Sequence, residues 1–292
     1  MTATHPEPVH EYPSHFEPPR GSFHRTVFGP GLVRGAWMTL AGFGLGALLV
    51  MALRAWWGWD PVWDTEIVLV VGAMVMAPIG FLAGIGSFDY WLHYLSGRPT
   101  RPEDHSGHGA TSWKDYFRVN TDHKVIGIQY LVTTFVFFTI GGLMAMFFRA
   151  ELAEPGLQFV DSQTFNGLVS VHATLMIFLF IIPAFAGLAN FAVPLMLGAP
   201  DMAFPRLNAL SFWLLPIAGL MFVASFLAPG GAFGAGWTGY APLAEGQPLG
   251  QTFFNMGVQW AGASSIMTAL NFLVTIITMR APGLTFWRMP LL

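Results

Sequence analysis

The sequence predicts an all-α integral membrane protein, a helical bundle of about six transmembrane helices. Three observations carry this. Of 292 residues, 54% are hydrophobic and 10% charged, against about 25% charged in an average soluble domain. The apolar residues gather in runs free of Lys, Arg, Asp and Glu, and several reach the roughly 20 residues that a spanning helix needs. The basic residues are shared unequally between alternate loops, as membrane topology demands.

Residues 1–30 are polar and rich in Pro and His, with His5, His10, His15 and His24. They lack the apolar core of a secretory signal and read as a disordered tail. Four spaced histidines bind metal weakly at best, and their spacing matches no site. Residues 31–95 hold two runs, Gly35–Leu53 and Ile67–Phe88, read as two spanning helices. Residues 96–117 contain Gly, Pro, His and charges and read as a linker. Residues 118–292 hold four more runs: Val125–Phe148, Ser162–Pro200, Leu207–Ala244 and Gly246–Met279. The second and third of these, at 39 and 38 residues, are long enough for two spans each. Pro200 and the Gly/Pro-rich stretch Ala228–Gly250 favour one helix and a loop instead. Pro183, Pro194 and Pro216 fall in or near helices, where a lipid-buried bundle tolerates kinks.

With the N-terminus inside, Arg20, Arg25, Arg34, Arg98, Arg101, Lys114, Arg118, Lys124, Arg206, Arg280 and Arg288 are inside, 11 of the 13 basic residues. Arg54 and Arg149 are left outside, with Glu151, Glu154, Asp161 and Glu245. The reading is N-in and C-in. A net charge of −3 with no large basic patch gives no reason to expect nucleic acid. The absence of cysteine excludes disulfides and thiolate metal sites.

The candidate residues follow from cost. His172 lies inside the uncharged Ser162–Pro200 run, where an ionisable side chain costs roughly 2.5 kcal/mol or more. Its helical neighbours, Leu168, Val169, Leu175 and Met176, are apolar. Two readings stand: a ligand to the iron of an apolar cofactor, or a histidine hydrogen-bonded to another helix. No second histidine lies about 13 residues away on this helix, which disfavours a di-haem b-type cytochrome. Asp201 lies in a short inner loop, with Asn190 near the end of one helix and Asn208 near the start of the next. It is either a solvated loop acid, paired with Arg206, or a proton collector between two amides. Ser264, Ser265 and Asn271 could continue such a path. Arg149 either anchors a helix end or turns to a polar group of a cofactor. Glu151 with the Gly156 carbonyl could hold a hard cation. Trp237 and Tyr240 could belong to an interfacial aromatic belt.

Several motifs occur in one order: Arg149-Ala150-Glu151-Leu152, Val171-His172-Ala173, Asn190, Val193-Pro194-Leu195, the string from Gly198 to Asn208, Ser211-Phe212-Trp213, Gly236-Trp237-Thr238 and Ala263-Ser264-Ser265. From about Asp122 to Leu292 the chain resembles subunit I of the haem-copper oxygen reductases, in the cytochrome c oxidase branch. The first 120 residues carry no such motif and look like an added two-helix module.

The resemblance implies roles. His172 would be one axial ligand of haem a, and Arg149 would bond that haem's formyl group. Trp237 would contact a haem propionate at the oxygen site. Asp201 would be the mouth of a proton pathway, with Asn190, Asn208, Tyr130, Ser264, Ser265 and Asn271 along it. Glu151 and Gly156 match a Ca²⁺ or Na⁺ site, and Glu154 stands where some members place another ligand. Quinol-oxidising members carry Arg and Asp where this chain has Ile140 and Met144, and His and Gln where it has Thr164 and Gly167. Cytochrome c is therefore the expected donor, and oxidase subunits II and III the expected partners, beside membrane lipid. Gln259 stands where many members have histidine.

The family continues past Met-Pro-Leu with about eight helices. These carry the second haem a ligand, the haem a3 and copper ligands and a cross-linked tyrosine. This chain is thus expected to be the N-terminal part of a cytochrome c oxidase catalytic subunit, as a fragment, a truncated frame or one of two chains, inactive alone. A bacterial plasma membrane with both termini cytoplasmic is the expected location. The rival expectation is a non-catalytic membrane protein, an assembly or transport component derived from the same helices.

Overall fold

The computed structural model describes residues 31–97, 109–110 and 112–290. The expected tail with His5, His10, His15 and His24, and most of the expected linker, lie outside the described residues. Seven helices follow in order: α1 (Leu32–Trp57), α2 (Thr65–Ile85), α3 (Asp89–Leu95), α4 (His123–Glu151), α5 (Ser162–Leu197), α6 (Pro205–Leu227) and α7 (Gly250–Thr278). All but α3 are long and apolar enough to cross a membrane, which gives six spans among the described residues. No strand occurs among them. Each of the two longest runs forms one helix, and 228–249 forms a loop. The short α3 was not expected, and neither was the 3-10 turn Trp113–Phe117 within the expected linker, closed by a Ser112/Asp115 capping box.

α5 is regular from Ser162 to Thr174, widens to π geometry over Leu175–Ile181, and resumes at Ile182. Pro183 explains the position. Proline has no N–H, and its ring clashes with the carbonyl four residues back, so the preceding turn widens. The helix ends at Gly198, whose φ of 68° is the left-handed conformation that glycine adopts without strain. That turn starts the loop containing Asp201.

α1 and α2 form a hairpin packed on glycine. A Cβ added to Gly46 would collide with the Gly72 carbonyl, and one added to Gly80 would collide with the Met38 carbonyl. Small residues let helix backbones touch where lipid offers no hydrophobic drive. At the hairpin's far turn, the buried Arg54 donates to the Pro61 carbonyl from Nε (3.1 Å) and Nη2 (2.8 Å).

α4 packs on α5, and α6 packs on α7. Tyr130, Val171, Leu175, Leu179, Phe212, Ala218 and Phe222 are buried in the core between them. The hairpin joins this core through Leu82 and Ile85 of α2. Phe81 packs on Trp213 with centroids 6.0 Å apart, and the Arg206 guanidinium lies 3.2 Å from the Tyr90 ring centroid.

Candidate functional site

In the C-terminal half of α4, His172 of α5 projects onto its neighbour. Its Nδ1 lies 2.8 Å from the Gly141 carbonyl. A carbonyl only accepts, so Nδ1 carries the proton, and Nε2 is the ring nitrogen left for another partner. Among the described residues Nε2 has no hydrogen-bond partner. Phe148 packs edge-on against the imidazole at 5.4 Å. Arg149 follows Phe148 at the exposed end of α4, eight residues past Gly141 or about 12 Å of helix rise. A shallow depression lies there between Ala145, Met146, Phe148, Arg149 and Ala150.

Glu151 is buried. Its Oε1 accepts from the Gln158 N–H (2.6 Å) and its Oε2 from those of Phe159 (2.9 Å) and Val160 (3.2 Å). It therefore folds the 152–161 loop back onto α4. Glu154 and Gly156 are exposed in that loop. No group of three or more His, Cys, Asp or Glu able to hold a metal occurs among the described residues. The 228–249 loop rests on α5 through Gln163 Nε2 to the Ala232 carbonyl (2.9 Å) and the Gly236 N–H to Ser170 Oγ (2.9 Å). This brings Trp237, itself exposed, to 6.3 Å from the Phe178 ring.

The second cluster lies at the opposite end of α4. Asp201 is 1% exposed. It accepts a hydrogen bond from the Met202 N–H at 2.6 Å, and the His123 backbone N–H also bonds it. Burial pushes its carboxyl up from 3.8 to about 7. The Asp122 charge adds to the rise, while the two N–H groups and Lys124 oppose it. Asp122 caps α4, accepting from the N–H groups of Lys124 (2.9 Å), Val125 (3.1 Å) and Gly109 (3.0 Å). The His123 ring, also buried, donates from Nδ1 to the Asn190 carbonyl at 2.9 Å. Two histidine bonds thus cross between α4 and α5, one in each direction.

Asn190 and Asn208 are fully buried. Among the described residues, the Asn190 Oδ1 and both amide atoms of Asn208 have no partner. A buried amide left unpaired costs about 1–3 kcal/mol, so such atoms call for water. Deeper in, the Tyr130 hydroxyl is 3.2 Å from both Ser211 Oγ and Thr268 Oγ1, and Ser264 Oγ donates to the Ser211 carbonyl at 2.7 Å. Beyond them opens a cavity of about 350 Å³ bordered by Tyr130, Ser264, Ser265, Thr268, Phe178 and Pro183. Ser265 stands on its exposed side. Asn271 uses both ends of its amide on the Phe204 backbone, at 2.9 and 3.0 Å, and Thr275 Oγ1 accepts from the Ala203 N–H at 2.9 Å. These two side chains fix the Asp201 loop to α7.

The family model for cytochrome c and quinol oxidase polypeptide I matches residues 125–292, more than half of the chain. The chain belongs to this family. The cytochrome c oxidase subunit 1 of Corynebacterium efficiens is 45% identical over 197 residues, covering 66% of this chain and 34% of that protein. A putative cytochrome c oxidase subunit 1-beta of Streptomyces coelicolor is 52% identical over 174 residues, 59% of this chain and 30% of the relative. Cytochrome c oxidase subunit 1 of Thermostichus vulcanus is 50% identical over 184 residues, 62% and 33%. The chain spans about a third of the length of these curated relatives.

Within this oxidase-family chain, the expected residues form two groups. His172 and Arg149 lie along the C-terminal half of α4, with Trp237 reaching α5 from the 228–249 loop. Asp201, Asn190, Asn208 and Asn271 gather near the opposite end, with Tyr130 and Ser264 deeper between the helices. Ser211 and Thr268, which bracket Tyr130, and His123 and Asp122, which flank Asp201, were not singled out from the sequence. A signal for one existed: Ser264, Thr268, Asn271 and Thr275 recur at intervals of four, three and four, one polar face on an apolar helix.

Proposed function

We propose that this chain supplies the first helices of the catalytic subunit of a cytochrome c oxidase in a bacterial plasma membrane, both termini cytoplasmic. Electrons would come from cytochrome c through a copper centre on subunit II, with subunit III also in the complex. The haem a3–copper site, where oxygen becomes water, would need ligands from outside this chain. The observation that carries the reading is the His172 ring, with Nδ1–H committed to Gly141 and Nε2 free on an apolar helix face. A second-helix carbonyl fixing the tautomer is how proteins orient an imidazole toward a metal. The two readings of His172 are therefore compatible: one nitrogen binds the helix, the other is left for iron.

Haem a, when bound, supplies reversible one-electron chemistry. The residues that would hold it are His172 at the iron and Arg149 toward its polar edge, while Trp237 would meet a propionate of the oxygen-site haem. Phe148 limits rotation of the imidazole, and the apolar neighbours exclude water. At the other end Asp201 would hold a proton near neutral pH and pass it to water hydrogen-bonded by the amides of Asn190 and Asn208. The Tyr130, Ser211, Thr268 and Ser264 hydroxyls continue toward the cavity beside Ser265, with Asn271 holding the mouth in place. Glu151, Glu154 and the Gly156 carbonyl are the candidates for Ca²⁺ or Na⁺.

In the full complex, His172→Ala should abolish the low-spin haem absorption band, and a normal band would sink the ligand role. Asp201→Asn should reduce proton uptake at least tenfold at pH 7, and wild-type uptake would refute the pathway role.

A further inference from the structure

Asp201 does not stand alone. Its carboxylate and that of Asp122 sit on successive amides of one helix end: His123 N–H bonds Asp201, and Lys124 and Val125 N–H bond Asp122. Both side chains are almost wholly buried, at 1% and 3% exposed. The His123 ring between them is tied to the Asn190 carbonyl. Asn190 itself carries a buried Oδ1 without a partner, and Asn208, at the start of α6, leaves its whole amide unpaired. Two buried carboxylates therefore meet at one helix end, and the nearby loop and helices carry buried amide atoms that call for water.

We propose that Asp122 is a positioning residue for proton capture: its carboxylate at the α4 end holds the proton on Asp201 until water bound by the asparagine amides takes it. The inference rests on the pathway reading of Asp201. A like charge disfavours ionisation of its neighbour, and low local polarity strengthens the effect. Besides capping α4, Asp122 would thus set the pH range over which the mouth is loaded. Among the described residues, four further charged or imidazole groups belong to the elements around the loop. Lys124 is on α4 and opposes the effect. Arg206, on α6, lies over Tyr90. Arg280, beyond α7, donates from Nε to the Leu284 carbonyl at 3.1 Å and lies over the Phe286 ring. His123 is bound to Asn190. α5 and α7 present uncharged Asn190, Asn271 and Thr275. Asp122 is thus the one acid among these groups that acts on Asp201.

Asp122→Asn separates charge from capping, because asparagine caps a helix about as well as aspartate. The measurement is the pH titration of the Asp201 carboxylic C=O infrared band in the full oxidase complex, assigned by its loss in Asp201→Asn. Asp122→Asn should lower the midpoint by roughly one pH unit, and Asp122→Glu should restore it. A purely structural cap would leave the midpoint unmoved in Asp122→Asn, and that result overturns the proposal. Proton uptake keeps the two readings apart. If Asp201→Asn retains wild-type uptake, the pathway reading fails. If uptake is lost but the Asp122→Asn midpoint stays put, only the role of Asp122 fails.

Discussion

The α1–α2 hairpin and the α4–α7 bundle solve the same problem in opposite ways. Both must hold apolar helices together in lipid, where burying one more leucine gains little. The hairpin does it with backbone: Gly42, Gly46, Gly72, Gly80 and Gly84 bring the two main chains into contact. The bundle does it with large side chains and then leaves polar atoms inside, including three amide atoms of Asn190 and Asn208 without a partner. Polar groups left unpaired in the fold are the ones that the proposed proton path would use. The hairpin, whose helix interface is lined by glycine, reads as structure, and the family match begins beyond it.

The contrast can be broken most forcefully at Gly46. Gly46→Leu should separate α1 from α2 and destabilise the hairpin by about 3 kcal/mol, since the Gly72 carbonyl occupies the space. Thermal unfolding should register it while the low-spin haem band of the complex stays unchanged; a lost band would mean that the two regions are not separable. The bundle should give the reverse response at Asp201. Because its carboxyl is raised from 3.8 to about 7, the folded state keeps a proton that the unfolded chain releases. Stability is therefore full below about pH 4, falls as pH rises toward 7, and stays low above it. Asp201→Asn should remove that loss and stabilise the complex by roughly 2–3 kcal/mol at pH 8, with no gain at pH 4. Equal melting temperatures at pH 8 would contradict it. Tyr130→Phe removes the hydroxyl between Ser211 and Thr268 and should cost about 1–2 kcal/mol, with slower proton uptake distinguishing path from packing. The smallest effect belongs to the joint between the regions. Tyr90→Leu removes the ring under Arg206 and should cost about 0.5–1 kcal/mol, read as easier proteolysis near α3.

Span count and helix identity were legible because bilayer thickness imposes a length that composition alone reveals. The sequence could single out His172 by its cost in an uncharged run, and Asp201 by its place between Asn190 and Asn208, and the structure buries Asp201 and both amides. What was not legible depends on pairing between helices. Nothing local to Gly141 announces that its carbonyl receives His172. Thr268 matters only because Tyr130 comes within 3.2 Å of it across the bundle. The π turn of α5 was hidden for another reason: Pro183 was read as a kink, whereas the strain is spread over the preceding turn. The linker reading overlooked the Ser112/Asp115 box, a short-range signal inside a polar stretch.

The two crossed histidine bonds carry one more consequence. His172 to Gly141 and His123 to Asn190 are separated by 18 residues on each helix. On the regular α4, eighteen residues make five full turns and about 27 Å, close to the hydrocarbon depth of a bilayer. Two rods pinned at one point can pivot, but pinned at two they behave as a single beam. A slide of α5 by one residue, about 1.5 Å, would strain both pins together. A load applied to the His172 imidazole is therefore shared with the helix end that holds Asp201, across the full thickness of the membrane.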